Sequence, residues 1–167
     1  MRKDLGLVAI AFIAGVLFAV PSTLIAQAPP SATAGGFEKK NFFGVWSKNA
    51  FADAVTVTGP GKTIFLAGMG SEDENDGKIL HQGDFLEQCR YAYAKIKKVL
   101  ATHGAGMKDI VKITAYVTDA RMRPDYAKCR GEAMGDAPLS THTFLNVTQL
   151  AWPGMLVEVD ATAVVAQ

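Results

Sequence analysis

A chain of 167 residues, 49% hydrophobic and 20% charged, holds enough apolar material for one compact domain and too little for two ordinary ones. Seventeen Lys and Arg against sixteen Asp and Glu leave a formal charge of +1, so no general field draws in nucleic acid or acidic partners. Its two cysteines, Cys89 and Cys129, form no Cys-x-x-Cys pair, which excludes a zinc knuckle and a disulfide-dense scaffold.

The chain opens Met1-Arg2-Lys3-Asp4, continues in an apolar run from Leu5 to Val20, and reaches a small-residue tail from Pro21 to Ala28. Basic head, short apolar middle and small tail are the layout of a signal peptide, expected over residues 1–28. The run is shorter than the roughly 20 residues that span a bilayer, so membrane contact is expected only through this export segment. An uncleaved anchor is the minor alternative, and a periplasmic or secreted domain is the expectation. Ala26-Gln27-Ala28 resembles a cleavage site, but Pro29 behind it hinders the peptidase, which leaves a cut after Ala26 open. Residues 29–40, beginning Pro29-Pro30-Ser31-Ala32-Thr33-Ala34-Gly35-Gly36, read as a linker, and 41–167 as the folded domain.

Within that domain short elements alternate in type. Ala54–Thr58 and Thr63–Ala67 are β-rich runs around Gly59-Pro60-Gly61-Lys62, which predicts a hairpin. A polar loop from Ser71 to Gly77 follows, and Lys78-Ile79-Leu80 is a candidate short strand. From Asp84 to about His103, apolar Phe85, Cys89, Tyr93, Ile96 and Leu100 line one helical face, with Asp84 as N-cap and Gly104 as stop. Asp109–Thr118 alternates like a strand, and Pro124–Met134 is a second helix closed by Gly135. Ser140–Leu150 and Met155–Val165 are two final strands. The order ββ(β)αβαββ predicts an α+β layer, two helices on one face of a mixed sheet. No helix remains for the other face, so association of subunits through it is expected.

Glu158 and Asp160 stand two apart in Leu156-Val157-Glu158-Val159-Asp160-Ala161-Thr162, so in a strand they share a face. Such a pair suits either a solvated face or a site where one carboxylate polarises water. The acidic run Glu72–Gly77 fails as a calcium loop, because Gly83 falls where a bidentate Glu is required. His81, His103 and His142 have no metal-ligand spacing, and only His142, opening a strand, sits where a donor faces a ligand. Lys95, Lys97, Lys98, Lys108 and Lys112 read as a solvated basic face rather than a nucleic-acid surface. Cys89 and Cys129 fall on the two helices, where a disulfide and a pair of inert buried thiols are both open.

From about Phe51 to Val165 the chain resembles the RidA (YjgF-like) family of imine and enamine deaminases. The matching stretches are Ile64-Phe65-Leu66-Ala67-Gly68, Glu87-Gln88-Cys89-Arg90, Lys108–Asp119 and, most specific, Leu150-Ala151-Trp152-Pro153-Gly154-Met155-Leu156-Val157-Glu158-Val159-Asp160-Ala161. The resemblance implies a chorismate-mutase-like fold, a homotrimer with ligand clefts between subunits, and cofactor-free hydrolysis of a reactive imine or enamine to a carbonyl compound and ammonia. It implies Glu158 as the residue directing water, with Asp160 its neighbour, and Gly68 as cleft backbone. Phe51 stands where the family often has Tyr, and Ala67 replaces a Ser. The family's carboxylate-binding Arg lies in Pro-Ala-Arg-Ser, whereas this chain reads Pro138-Leu139-Ser140-Thr141-His142-Thr143. Alignment on the proline puts Ser140 at the Arg position and counting back from Leu150 puts His142 there; neither is a bidentate guanidinium.

The expected catalytic residues are therefore Glu158 and His142, and the expected substrate contacts Phe51, Ala67, Gly68, Ser140, Thr141 and Asp160, with no metal and no cofactor. The expected partners are a small molecule and further copies of the chain. The missing Arg also favours a non-catalytic trimer that binds a small molecule or partner in the same clefts. RNA cleavage, reported for some members, ranks last given the near-zero net charge.

Overall fold

The computed structural model describes residues 36–167; the expected signal peptide and most of the linker lie outside them. The chain forms β1 (Glu38–Phe42), β2 (Ala54–Thr58), β3 (Gly61–Phe65), α1 (Phe85–Thr102), β4 (Ile110–Val117), α2 (Arg123–Met134), β5 (Thr141–Asn146) and β6 (Val157–Ala166). Four strands make the main sheet in the order β3-β6-β4-β5. β6 runs antiparallel to β3 and β4, while β4 and β5 are parallel, so the sheet is mixed as the element order implies.

Period-two alternation decides what each sheet face carries. Val157, Val159, Ala161 and Ala163 of β6 and Ile113, Ala115 and Val117 of β4 are buried against Phe85, Cys89, Tyr93, Ile96 and Leu100 of α1 and Tyr126 and Cys129 of α2. All five α1 residues expected on the apolar face are in this core. The helix starts where Asp84 Oδ1 accepts from the Glu87 amide at 3.1 Å, and Gly104, at φ +73°, turns the chain away after it. α2 starts with Pro124 in its first turn and stops at Gly135. A disulfide joins Cys89 to Cys129, so of the two states open to these cysteines the fold takes the bridge, stapling α1 to α2. Gln88, fully buried, donates to the carbonyls of Gly154 (2.8 Å) and His81 (3.2 Å) and accepts from the Leu156 amide (2.8 Å). Its amide thereby fixes the loop that delivers β6, with each polar atom satisfied.

Several expectations are corrected. β2 does not pair with β3: it forms a separate two-stranded sheet with β1, while β3 pairs with β6. Gly59, at φ +78°, and Pro60 turn the chain from one sheet into the other. β1 begins at Glu38, inside the expected 29–40 linker, and is held by Lys39 Nζ on Asp109 Oδ1 at 3.2 Å and Asn41 Nδ2 on the Leu139 carbonyl at 2.6 Å. The ordered domain thus starts before residue 41. Lys78–Leu80 makes only one bridge, Ile79 to Glu72. β5 ends at Asn146 rather than Leu150, because the Asn146 side chain accepts from the Ala120 amide and donates to the Val147 carbonyl, turning the strand out of the sheet.

Candidate functional site

The face of the sheet away from the helices carries Glu158, Asp160 and Thr162 of β6, Lys112, Thr114 and Tyr116 of β4, Thr141, Thr143 and Leu145 of β5, and Phe65 of β3, by their cross-strand register. It is a mixed face, with Phe65 and Leu145 exposed among polar residues. Past β3 the chain stays beside β6: the Leu66 amide donates to Ala161 and Met69 exchanges both bonds with Val159. Three steps along one strand thus oppose two along the other, and the extra residue makes a bulge at Ala67-Gly68. The bulge turns the Gly68 backbone onto Glu158. A Cβ on Gly68 would lie 1.8 Å from Glu158 Oε1 and 2.7 Å from its carboxyl carbon, so only glycine lets the carboxylate lie there. Gly68→Ala is expected to displace the Glu158 carboxylate and reduce any turnover that depends on it by roughly a hundredfold, while the melting temperature moves little; assay and melt on the same preparation check this.

Glu158 is partly buried, and burial pushes its carboxyl above the ordinary carboxylate range, reinforced by the charges of Glu72 and Asp160 and opposed by Lys95. Tyr116 donates its hydroxyl to Asp160 Oδ2 at 3.1 Å, which raises the Tyr116 pKa. Beside Gly70, whose amide donates to Glu72 Oε1 at 3.3 Å, Lys95 is buried at 6% exposure and pairs with Glu72 Oε1 at 2.9 Å while donating to the Glu72 carbonyl. Lys95 therefore leaves the expected solvated basic face, and Glu72 leaves the expected solvated loop. Desolvation opposes ionisation of Glu72, but the Lys95 hydrogen bond and two backbone amides prevail and hold its pKa below the usual value.

A second cluster lies on the other side of the sheet. His142 pairs in register with buried Ile113, so it points toward the helix layer and away from Glu158. Its Nε2 shares a proton with the Tyr126 hydroxyl at 2.9 Å, and Tyr126 with Tyr93 at 2.8 Å. Burial, with Arg130, Lys112 and Arg123 nearby, lowers the His142 pKa to about 3. The imidazole is thus neutral in the folded protein, which removes it as a cationic replacement for the missing Arg. In the unfolded chain it binds a proton below its ordinary 6.5. The sign follows: His142 costs nothing above pH 6.5, and stability is lost as pH falls from 6.5 toward 3. Urea unfolding between pH 7 and 4 is expected to show this loss, reduced in His142→Phe.

Phe51 reaches the same cluster because the turn before it is tied down. Its amide and that of Ala50 donate to the Ser47 carbonyl, Ala52 donates to Ser140, and Arg130 Nη2 donates to the Ala50 carbonyl at 2.6 Å. Phe51, Tyr126, His142, Phe144, Arg123 and Arg130 surround a cavity of about 530 Å³.

The expected site residues therefore divide. Glu158, Asp160, Gly68 and Ala67 come together beside the bulge; Phe51 and His142 come together under α2, with Ser140 buried between β5 and the Ala52 amide. Thr141 shares the Glu158 face, but it is in register with Thr162, so it lies two strands across and four residues along from Glu158, about 16 Å away, and its hydroxyl is bound to the Val111 carbonyl at 2.9 Å. Within one protomer Glu158 meets neither residue: one step of register puts His142 on the opposite sheet face, and Thr141 is two strands away, while the expected cleft lies between subunits. Tyr116, the Lys95–Glu72 pair, Arg123 and Arg130 were missed. Arg123 and Arg130 carried a signal: seven residues apart on a helix, they share a face with Tyr126 between them.

The comparisons agree with this architecture. The family model described as endoribonuclease L-PSP matches residues 46–165. A RutC family protein of Pyrococcus abyssi is 36% identical over 87 residues, 50% of this chain and 65% of the relative, just under two thirds of its length. One from Pyrococcus horikoshii is 30% identical over 107 residues, 62% of this chain and 79% of the relative. Among solved structures, a Rid family protein of unknown function from Yersinia pestis superposes with TM-score 0.69 at 26% identity, over 76% of this chain and 98% of the other. A YjgF/YER057c/UK114 family member from Mycobacterium tuberculosis gives 0.53 at 26% identity, over 77% and 100%. A family match across most of the folded domain, with the same fold in solved relatives, makes the assignment plain: the chain belongs to the endoribonuclease L-PSP family, whose members are also called RidA or YjgF proteins.

Proposed function

We propose that this protein hydrolyses a small reactive imine or enamine to a carbonyl compound and ammonia, in clefts that two neighbouring subunits of a homotrimer complete. The observation that carries the reading is Glu158: a partly buried carboxylate, its acidity weakened by burial and like charges, seated on a glycine backbone at a sheet face that no helix covers among the described residues. A base of that kind takes a proton from water as the water oxygen bonds to the imine carbon. The C=N π electrons pass to nitrogen, which takes a proton from solvent to give the carbinolamine; Glu158 then gives its proton to that nitrogen, and ammonia leaves as the C=O forms and the hydroxyl proton returns to solvent. Atoms balance as imine plus water giving carbonyl plus ammonia.

Completion by a second subunit accounts for the division of the expected residues. Glu158, Gly68 and Asp160 of one copy would meet Phe51 and His142, at the edge strand β5, of the next. His142, neutral, supplies a hydrogen bond to the substrate rather than a charge. RNA cleavage is not favoured, since a charge of +1 gives no basic track for a phosphate backbone. The Cys89–Cys129 bridge supports a domain working outside the cytoplasm, where such bonds persist.

Co-assembly tests the composite cleft. Glu158→Gln and His142→Phe are each expected to be inactive; mixed trimers made by co-expression restore about a quarter of the clefts, each drawing one intact half from each neighbour. Absence of any recovery in trimers shown to be mixed would contradict a cleft shared between subunits.

A further inference from the structure

The cavity under α2 has a chemistry of its own. Its walls are flat or apolar: Phe51 and Phe144, with the Tyr126 ring 5.1 Å from Phe144 and stacked 5.4 Å from His142. Among the described residues its charged lining consists of Arg123 and Arg130, and no carboxylate lines it. Among the described residues neither arginine takes part in an ion pair. Arg130 donates one hydrogen bond, from Nη2 to the Ala50 carbonyl, which orients the guanidinium and leaves most of its five donors free. Two arginines beside an aromatic slot, with a neutral imidazole between, form an uncompensated positive corner in an apolar setting, where an anion gains more than it does in water.

We propose that this cavity is a binding site for a small organic anion with a flat apolar body, the body lying between Phe51, Tyr126 and Phe144 and the charge held by Arg123 and Arg130. Size agrees, since sites for small molecules run from about 300 to 1,000 Å³. Phe51 and His142 also belong to the cleft read above, so the proposal deepens that reading by naming what this half holds. It is tested by binding alone, which needs no turnover, so either reading can fail without the other.

Calorimetry on the wild-type domain with 3-phenylpropionate and 3-phenylpropanamide separates charge from body. The carboxylate is expected to bind at least about tenfold more tightly than the amide. Arg130→Gln is expected to remove that difference, and Arg123→Gln to reduce it severalfold. Arg123 has no hydrogen bond to the rest of the domain among the described residues, so its variant keeps the fold even if Arg130→Gln loosens the Ala50 turn. Equal affinity for the two probes, binding of neither, or carboxylate binding unchanged in Arg123→Gln and in a folded Arg130→Gln would each overturn the proposal.

Discussion

Replacing Glu158 with Gln is expected to lower kcat/KM for the proposed imine hydrolysis by about 10²- to 10⁴-fold, the range for loss of a positioned general base. Gln keeps the shape of the side chain against Gly68 but cannot accept the proton of the attacking water. The fold should not suffer. The Glu158 charge is partly desolvated and repelled by Glu72 and Asp160, so a neutral amide relieves an unfavourable term rather than removing a favourable one. A melting temperature equal to or above wild type, beside lost turnover, is the expected pair of results; lost turnover with a lowered melting temperature would reduce Glu158 to a structural residue. The pH profile gives a second check. Because the Glu158 pKa is raised, its basic form appears only above the ordinary carboxylate range, and the acid limb of kcat/KM is expected above pH 4.5, the unshifted value. By the same linkage, the folded state holds the Glu158 proton more tightly than the unfolded chain. Glu158 therefore costs stability as pH rises from 4.5 through its folded pKa.

Reduction of the Cys89–Cys129 bridge has the largest expected effect on stability. The two cysteines are 40 residues apart, and closing a loop of that length restricts the unfolded chain by about 4 kcal/mol in the chain-entropy treatment. Against a typical total of about 5–15 kcal/mol, that is roughly a quarter or more of what holds a domain together. The bridge joins two helices whose packing covers one sheet face, so its loss is felt across the core. Urea unfolding with and without reductant, and of Cys89→Ala/Cys129→Ala under oxidising conditions, is expected to show a loss of about 3–4 kcal/mol and a melting temperature lower by on the order of 10 °C. A change under about 1 kcal/mol would show that α1 and α2 hold by packing alone.

Much of the fold was legible because local and global signals agree along the chain. The spacing of Phe85, Cys89, Tyr93, Ile96 and Leu100 both forms α1 and faces the sheet, and Asp84 and Gly104 bound it. The alternation in β4 and β6 likewise set their buried faces. Pairing was not legible where two strands of similar character compete. Gly59-Pro60 reads equally as a hairpin turn or as a corner between sheets, and the difference rests on long-range partners: Ala163 opposite Ile64 in β6, and Val55 opposite Asn41 in β1. The site was half legible. Glu158 and Gly68 were readable from motif, and their contact follows from the bulge at Ala67-Gly68. The side of the sheet on which His142 falls was not, because a shift of one residue in register reverses every side chain of β5. Nor does local spacing bring Lys95 to Glu72, residues on a helix and a loop that meet only in the folded domain.

The measurement that tests the account most directly is ammonia release by the purified domain, disulfide intact, from freshly generated imines with and without a carboxylate, beside an arginine-containing RidA protein as control. The account predicts turnover on at least one imine and its loss in Glu158→Gln. Silence across the panel with the control active, or turnover unchanged in Glu158→Gln, would contradict it.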